Sequence, residues 1–443
     1  MSELAQEQVQ QVAAEQPDPV EAQVTPEPQE YIAPPVESGN IDEIRPVPRI
    51  NVQAFCETDG VAQTMSVSGK DRRMSKAHLN VSMGGIPAAV EYYQTSPTPN
   101  LIVVESTLSG QDLMNDLFRL AEVCDAETKV VIVGHKNDIA MYRELKANGV
   151  SEYLIAPISM ADIMGTISEI FVDPDKGALG KIVAFIGAKG GVGSSTICHN
   201  AAWAISNSYK TDVVLADTDL AFGTANINLD QDPPQGISEA VFSPDRVDDI
   251  LLDRLLAKCA EHLSLLAAPS TLDKTYDFHA DAFTGILEVA QSSTPSVIVD
   301  LPHQWNGWTK QVLMMADEIV LTANPELANL RNAKNLIDTI ISIRPNDKQP
   351  ILVMNQVGVP KRPEISVADF TEPLGMEPAA IVPFDPALFG MAANNGQMIS
   401  EADAKSPVAE TFDYLAQLLT GKAELRTEKK GSFDFLSKLK LKR

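Results

Sequence analysis

From Ile50 to about Phe171 short apolar runs alternate with amphipathic stretches. INVQAF, HLNVSM, LIVVES, KVVIVG and EYLIAP read as strands, while AAVEYYQ, DLMNDLFRLAEVC and IAMYRELKANG between them carry helical spacing. Runs this apolar suit strands buried on both faces, so the pattern predicts a parallel sheet with helices on each side. A second series of the same kind starts at Lys181, after FVDPDKGALG, where Pro174 and two glycines predict an interdomain linker. The expected fold class is α/β, with two doubly wound parallel-sheet domains over residues 49–172 and 181–421, joined by 173–180.

Length agrees with this division, because 443 residues exceed one ordinary core. The two ends depart from the pattern in opposite senses. Residues 1–48 are rich in Glu, Gln and Pro, with no Lys or Arg before Arg45, and predict a disordered acidic arm. Residues 422–443 end in KKGSFDFLSKLKLKR, a basic tail in which Phe435, Leu436 and Leu439 share one helical face beside Lys438, Lys440, Lys442 and Arg443. Such a tail suits peripheral contact with anionic lipid, a solvated end, or contact with a partner protein. The net charge of −25 argues against nucleic acid as a partner, since phosphate neutralisation by Lys and Arg supplies most non-specific affinity. Cys56, Cys124, Cys198 and Cys259 form no C-x-x-C pair, which argues against zinc and a disulfide framework. With no apolar leader and no apolar run near ~18 residues, a cytoplasmic location is expected.

The second series opens with chemistry. KIVAFIGAKGGVGSSTICHNAAWAIS reads as a buried strand, a glycine-rich turn and a helix, the arrangement that turns backbone N–H groups and a helix N-terminus toward phosphate. The candidate nucleotide-binding residues are Gly187, Gly190, Gly191, Val192, Gly193, Ser194, Ser195 and Thr196. Against G-x-x-x-x-G-K-[ST], Ser195 holds the hydroxyl position, whereas Ser194 stands where the lysine belongs. A lysine appears earlier instead, at Lys189. KGGVGSST resembles the deviant Walker A box of ParA/MinD-type P-loop ATPases, and this resemblance extends in order over residues 181–420.

The resemblance implies roles for particular residues. Lys189 would reach the partner's phosphates across an ATP-dependent homodimer, and Asp217 and Asp219 in VVLADTDLAFG would form the D-x-D switch, with Asp219 beside Lys189 in the catalytic set. Asp300, at the end of SVIVDLPH, would hold Mg2+ through water, so the metal set is Ser195, Asp217 and Asp300; Asn355 would read the adenine edge. His303 and Gln304 depart from the family's small residues, and His303 reads as a solvated loop histidine. The implied cofactors are ATP and Mg2+. Because Ser194 supplies no charge, the expectation is binding with slow, dimer-dependent ATP hydrolysis, or binding alone.

The first series is flavodoxin-like and resembles a response-regulator receiver domain whose chemistry is lost. Glu105 stands at the position of the Asp nucleophile, Ala156 at that of the Lys, and Glu57 and Asp59 only resemble the acidic metal pair. A degenerate receiver-like domain followed by GAKGGVGSST and FGTANINLD looks like the CpaE/TadZ branch of Flp/Tad pilus assembly. That resemblance implies a localisation factor for a pilus or secretion machine, with polar proteins as partners and a place at the inner membrane's periphery. The alternatives are a ParA-type DNA-partitioning ATPase, a MinD-type cell-division positioning ATPase and a non-hydrolysing scaffold.

Overall fold

The computed structural model describes residues 41, 44–171, 179–269, 272 and 274–422. Most of the expected acidic arm and linker, and the basic tail beyond Lys422, lie outside the described residues. Ordered packing begins ahead of position 49: Val47 is fully buried, and its N–H donates to the Arg73 carbonyl at 2.8 Å.

The first domain runs β1 (Asn51–Cys56), α1 (Asp59–Ser68), β2 (His78–Met83), α2 (Gly85–Tyr93), β3 (Leu101–Ser106), α3 (Gln111–Ala121), β4 (Lys129–Gly134), α4 (Ile139–Ala147), β5 (Glu152–Ile155) and α5 (Met160–Phe171). Its strands lie in the order β2-β1-β3-β4-β5, and every neighbouring pair is parallel. Each of the five apolar runs became a strand. Central β3 is buried at every position, with Leu101 and Val103 in the core on one face and Ile102 and Val104 in the core on the other. That alternation is the period of two that a strand imposes. Two helices start where short polar side chains satisfy their first N–H groups: Thr58 accepts from Val61 ahead of α1, and Asp138 accepts from Ala140 and Met141 ahead of α4.

The second domain begins with β6 (Lys181–Gly187), α6 (Ser194–Tyr209), β7 (Val213–Asp217), α7 (Ala225–Asn228), α8 (Ile237–Val241), α9 (Asp249–Leu255), β8 (Ala257–Ala260) and β9 (Leu263–Leu266). It continues with α10 (Thr284–Ser293), β10 (Ser296–Asp300), α11 (Gly307–Met315), β11 (Glu318–Ala323), α12 (Leu327–Ile343), β12 (Ile351–Val357), α13 (Val367–Thr371), β13 (Ala380–Pro383), α14 (Pro386–Asn394), α15 (Ile399–Ala402) and α16 (Pro407–Leu419). The sheet order is β13-β12-β11-β6-β10-β7-β9-β8. All pairs are parallel except β8 with β9, an edge hairpin whose four-residue strands are too short to stand out in the apolar pattern. Ile182, Ala184 and Ile186 face one core and Val183 and Phe185 the other, so β6 carries Gly187 to the carboxyl edge of the sheet from between two packed layers.

A buried ionic cluster joins the two domains. Arg72 and Arg73, in the short turn after α1, meet Asp347 just beyond α12: Arg72 Nε lies 2.8 Å from Oδ2 and Arg73 Nη2 lies 2.7 Å from Oδ1. Arg344 adds a third guanidinium at 2.8 Å, and Asp71 accepts from Asn346 at 3.0 Å. Asp71 and Asp317 supply further negative charge, at 3.1 Å from Arg73 and 3.5 Å from Arg72. Charges this deeply buried persist only where each is paired.

Candidate functional site

The carbonyls from the end of β6 into the following loop are bound by four side chains from three distant segments. His303 Nδ1 donates to the Gly187 carbonyl at 2.8 Å, Asn332 of α12 to Ala188 O at 2.9 Å, Gln356 to Gly191 O at 3.3 Å and Asn355 to Val192 O at 2.8 Å. With these four carbonyls engaged by side chains, the glycine-rich loop has the backbone chemistry of an anion cradle. Gly193 sits at φ +84°, and a Cβ there would lie 2.4 Å from Asn355 Nδ2. Only glycine fits between the turn and that amide. Gly190 has the opposite environment, since a Cβ there would meet nothing within 4 Å.

α6 follows with Ser194 as its first residue. The Ser194 hydroxyl is buried with no hydrogen-bond partner, as is Oδ1 of Asp300. Asp217 and Asp300 stand side by side in register at the ends of β7 and β10, 1% and 3% exposed. Burial, then the Asp300 charge, push the Asp217 carboxyl above its ordinary range, against the opposing pull of His199 and two backbone N–H groups. Those N–H groups are Asp219 N on Oδ1 and Ala225 N on Oδ2, each at 3.1 Å. Asp219 is less buried and turns into the following loop, where it accepts from Phe222 N at 3.1 Å; burial raises it as well.

Lys189 is engaged by a carboxylate of its own chain. Its Nζ, half exposed, lies 3.1 Å from Glu326 Oε2, and Arg362 stands 3.6 Å from the other oxygen of the same carboxylate. Asn355 spends its amide nitrogen on the Val192 carbonyl, so Oδ1 is its remaining polar atom. Beside the N-terminal turns of α6 a cleft of about 300 Å³ is lined by Thr196, His199, Asn200, Asn228 and α14 residues.

Ser195, Asp217 and Asp300 offer hard oxygen donors, the set that suits Mg2+. Among the described residues no group of three His, Cys, Asp or Glu side chains could hold a metal alone. Two carboxylates and a hydroxyl fit an ion that keeps waters and takes phosphate oxygens as its remaining ligands.

Sequence reasoning missed the side chains that clamp the loop. His303, read as a solvated histidine, is largely exposed but bonds the Gly187 carbonyl; Asn332 and Gln356 carried no signal because each lies more than 140 residues from the loop it holds. His199, buried beside Asp300, was also missed.

The corresponding edge of the first domain is closed by its own side chains. Glu105 Oε2 accepts from the Glu57 and Thr58 N–H groups at 2.7 and 2.8 Å, and Oε1 meets the Thr58 hydroxyl at 2.7 Å and His135 Nε2 at 3.0 Å. Burial raises this carboxyl, but the four donors outweigh it and hold it below the usual glutamate range. Glu57 accepts from Thr107 N at 2.9 Å while Asp59 lies exposed on α1, so the acidic pair does not converge.

Known proteins are similar to this chain over parts of its length. The model of a family described as an AAA domain matches residues 180–353. The septum site-determining protein MinD of Synechocystis is 25% identical over 252 residues, covering 55% of this chain and 90% of that protein. The crystal structure of a ParA family ATPase from Chlorobium tepidum is 23% identical, covers 55% of this chain and 99% of that one, and superposes with a TM-score of 0.50, a likeness of fold. The pilus assembly protein CpaE of Caulobacter crescentus is 45% identical over 29% of this chain and 98% of that one, with a TM-score of 0.29. No helix among the described residues is long and apolar enough to cross a membrane.

Proposed function

We propose, for a chain whose second half is a P-loop ATPase domain of the ParA/MinD type joined to a receiver-like domain, a role as an ATP-binding localisation and assembly factor of a Flp/Tad pilus or a related secretion machine. The observation that carries the nucleotide half of this reading is the loop itself: four carbonyls bound by side chains, Gly193 wedged against Asn355, and two buried carboxylates at the adjoining strand ends. The pilus half is supported by the 45% identity to CpaE.

In this reading Gly187 to Thr196 cradle the phosphates, Asn355 Oδ1 meets the base, and Ser195, Asp217 and Asp300 hold Mg2+. Bound Mg2+ would supply positive charge beside the β- and γ-phosphates, charge that Ser194 lacks. Lys189 must leave Glu326 to serve a partner's phosphates, so dimerisation is the step that completes the positive charge around the nucleotide. Asp219 orients water beside the γ-phosphate. Turnover is slow and dimer-dependent, because the one lysine that neutralises the phosphates comes from the other subunit. The receiver-like domain docks protein rather than transferring phosphate, since Glu105 is saturated by donors. The protein works in the cytoplasm, with its basic tail at the inner face of the membrane and a cell pole as its station.

Replacing the chromosomal copy with Lys189→Ala, in cells that make this protein, tests the reading. Loss of surface pili and of the polar focus of a fluorescent fusion, at unchanged protein level, is expected. Normal piliation with a normal focus would remove the nucleotide switch from the function; intact piliation in a full deletion would remove the pilus role altogether.

A further inference from the structure

We propose that His199 is a positioning residue that ties the Asp217–Asp300 carboxylate pair to the short helix α7, so that metal occupancy at the pair is transmitted to the surface α7 presents. The inference rests on the nucleotide and Mg2+ reading above and adds to it a side chain with no place in that reading.

His199 lies one turn beyond Ser195 on the same face of α6, the face that looks onto the ends of β7 and β10. It is 1% exposed. Its Nδ1 is 3.0 Å from Asn228 Nδ2; the amide donates, so Nδ1 accepts and the ring hydrogen resides on Nε2. Nε2 in turn lies 3.3 Å from Asp300 Oδ2 but makes no aligned hydrogen bond, and the other oxygen of Asp300 has no partner. A histidine kept only for packing would satisfy its N–H or yield to an apolar residue, because a buried unsatisfied donor costs about 1–3 kcal/mol. Here an unsatisfied donor faces an under-satisfied carboxylate across a short gap, an arrangement that tightens when the carboxylate is drawn into a fixed position.

α7 is held at both ends by this pair. Its first residue, Ala225, donates its N–H to Asp217 Oδ2, and its last, Asn228, reaches Asp300 through His199. The segment displays apolar side chains to solvent, Phe222 at 74% and Ile227 at 62% exposure. A shift of either carboxylate as it takes up a metal therefore moves one end of a one-turn helix, and with it an exposed apolar pair. Outer partners of ligating carboxylates are worth roughly 10–100-fold in metal affinity.

The test measures affinity for a fluorescent ATP analogue with Mg2+ and with EDTA, in wild type, His199→Leu and His199→Gln. Hydrogen exchange of amides 224–229 is followed in the nucleotide-free proteins. Leucine fills the space without a donor; glutamine restores an N–H at the Nε2 position. The expected result is that His199→Leu cuts the Mg2+-dependent gain in affinity by about tenfold or more, leaves affinity in EDTA unchanged and speeds exchange in α7, while His199→Gln recovers most of the Mg2+ gain. An unchanged Mg2+ gain in His199→Leu overturns the proposal, as do equal losses in Mg2+ and EDTA that glutamine does not repair. If wild type binds no nucleotide in either condition, the nucleotide reading itself fails. The exchange data then decide for His199 alone, and unchanged exchange at α7 in His199→Leu removes its role.

Discussion

Neutralising Asp347 should separate the two domains. Its carboxylate is 5% exposed and receives Arg72, Arg344 and Arg73 at 2.8, 2.8 and 2.7 Å, so Asp347→Asn would take from three buried guanidiniums the carboxylate they share. Removing one partner from a buried charge cluster typically costs about 3–5 kcal/mol, a large part of the ~5–15 kcal/mol that stabilises a domain. The pH dependence has a definite sign. Burial raises the Asp347 carboxyl, but Arg72 and Arg344 outweigh it and the net shift is downward. A depressed folded pKa contributes stability that is fully present above the unfolded value, roughly 4, and is lost as pH falls through the folded value. The gap between wild type and Asp347→Asn should therefore be constant from about pH 8 to 5 and shrink below about pH 4. Trp203, Trp305 and Trp308 all lie in the second domain, so tryptophan fluorescence reports that half alone while far-ultraviolet circular dichroism reports both. In urea the two signals should coincide for wild type and diverge for the variant. A deficit under about 1 kcal/mol at pH 7, or one that persists undiminished at pH 3, would refute the reasoning, since the pairing energy would then not come from the ionised carboxylate.

The remaining predictions concern single sites. Gly193→Ala forces a side chain into the left-handed region and against Asn355, so it should lose about 2–3 kcal/mol from strain and a broken hydrogen bond and abolish the rise in melting temperature that ATP gives wild type. Asp217→Asn relieves like-charge repulsion with Asp300 but sets its amide nitrogen against one of the two backbone N–H groups that the carboxylate accepts, so the nucleotide-free protein's stability should change by less than about 1 kcal/mol, while the Mg2+-dependent part of nucleotide affinity is lost. Glu105→Gln breaks charged hydrogen bonds and should cost about 2–3 kcal/mol in chemical denaturation; incubation of wild type with labelled acetyl phosphate should leave no label on the first domain.

The architecture was largely legible in the sequence because its signals are local. LIVVES and KVVIVG could only be strands buried on both faces, and a glycine-rich turn between KIVAFIG and a helix could only be a tight strand-to-helix connection. Asp217 and Asp300 were legible for the same reason: each ends an apolar strand, and parallel strands deliver their last residues to one edge. Contacts between segments distant in the chain were not legible. His303, Asn332 and Gln356 look like ordinary polar loop or helix residues until the sheet brings them to the carbonyls of the phosphate loop. The run DRRM after α1 carries no signal of its partner, yet it supplies two of the three arginines of the interdomain cluster to a carboxylate 275 and 274 residues away. Lys189 was read for its reach toward a partner, and nothing in KGGVGSST indicates that Glu326 holds it within its own chain.

The most direct test is nucleotide-dependent association, measured by light scattering on purified protein with Mg2+ and a slowly hydrolysed ATP analogue, wild type beside Lys189→Ala. The account predicts that wild type passes from monomer to dimer with the analogue and not with ADP, while Lys189→Ala binds the analogue and stays monomeric. A wild-type protein that binds the analogue without associating, or a Lys189→Ala variant that dimerises as well as wild type, would contradict it.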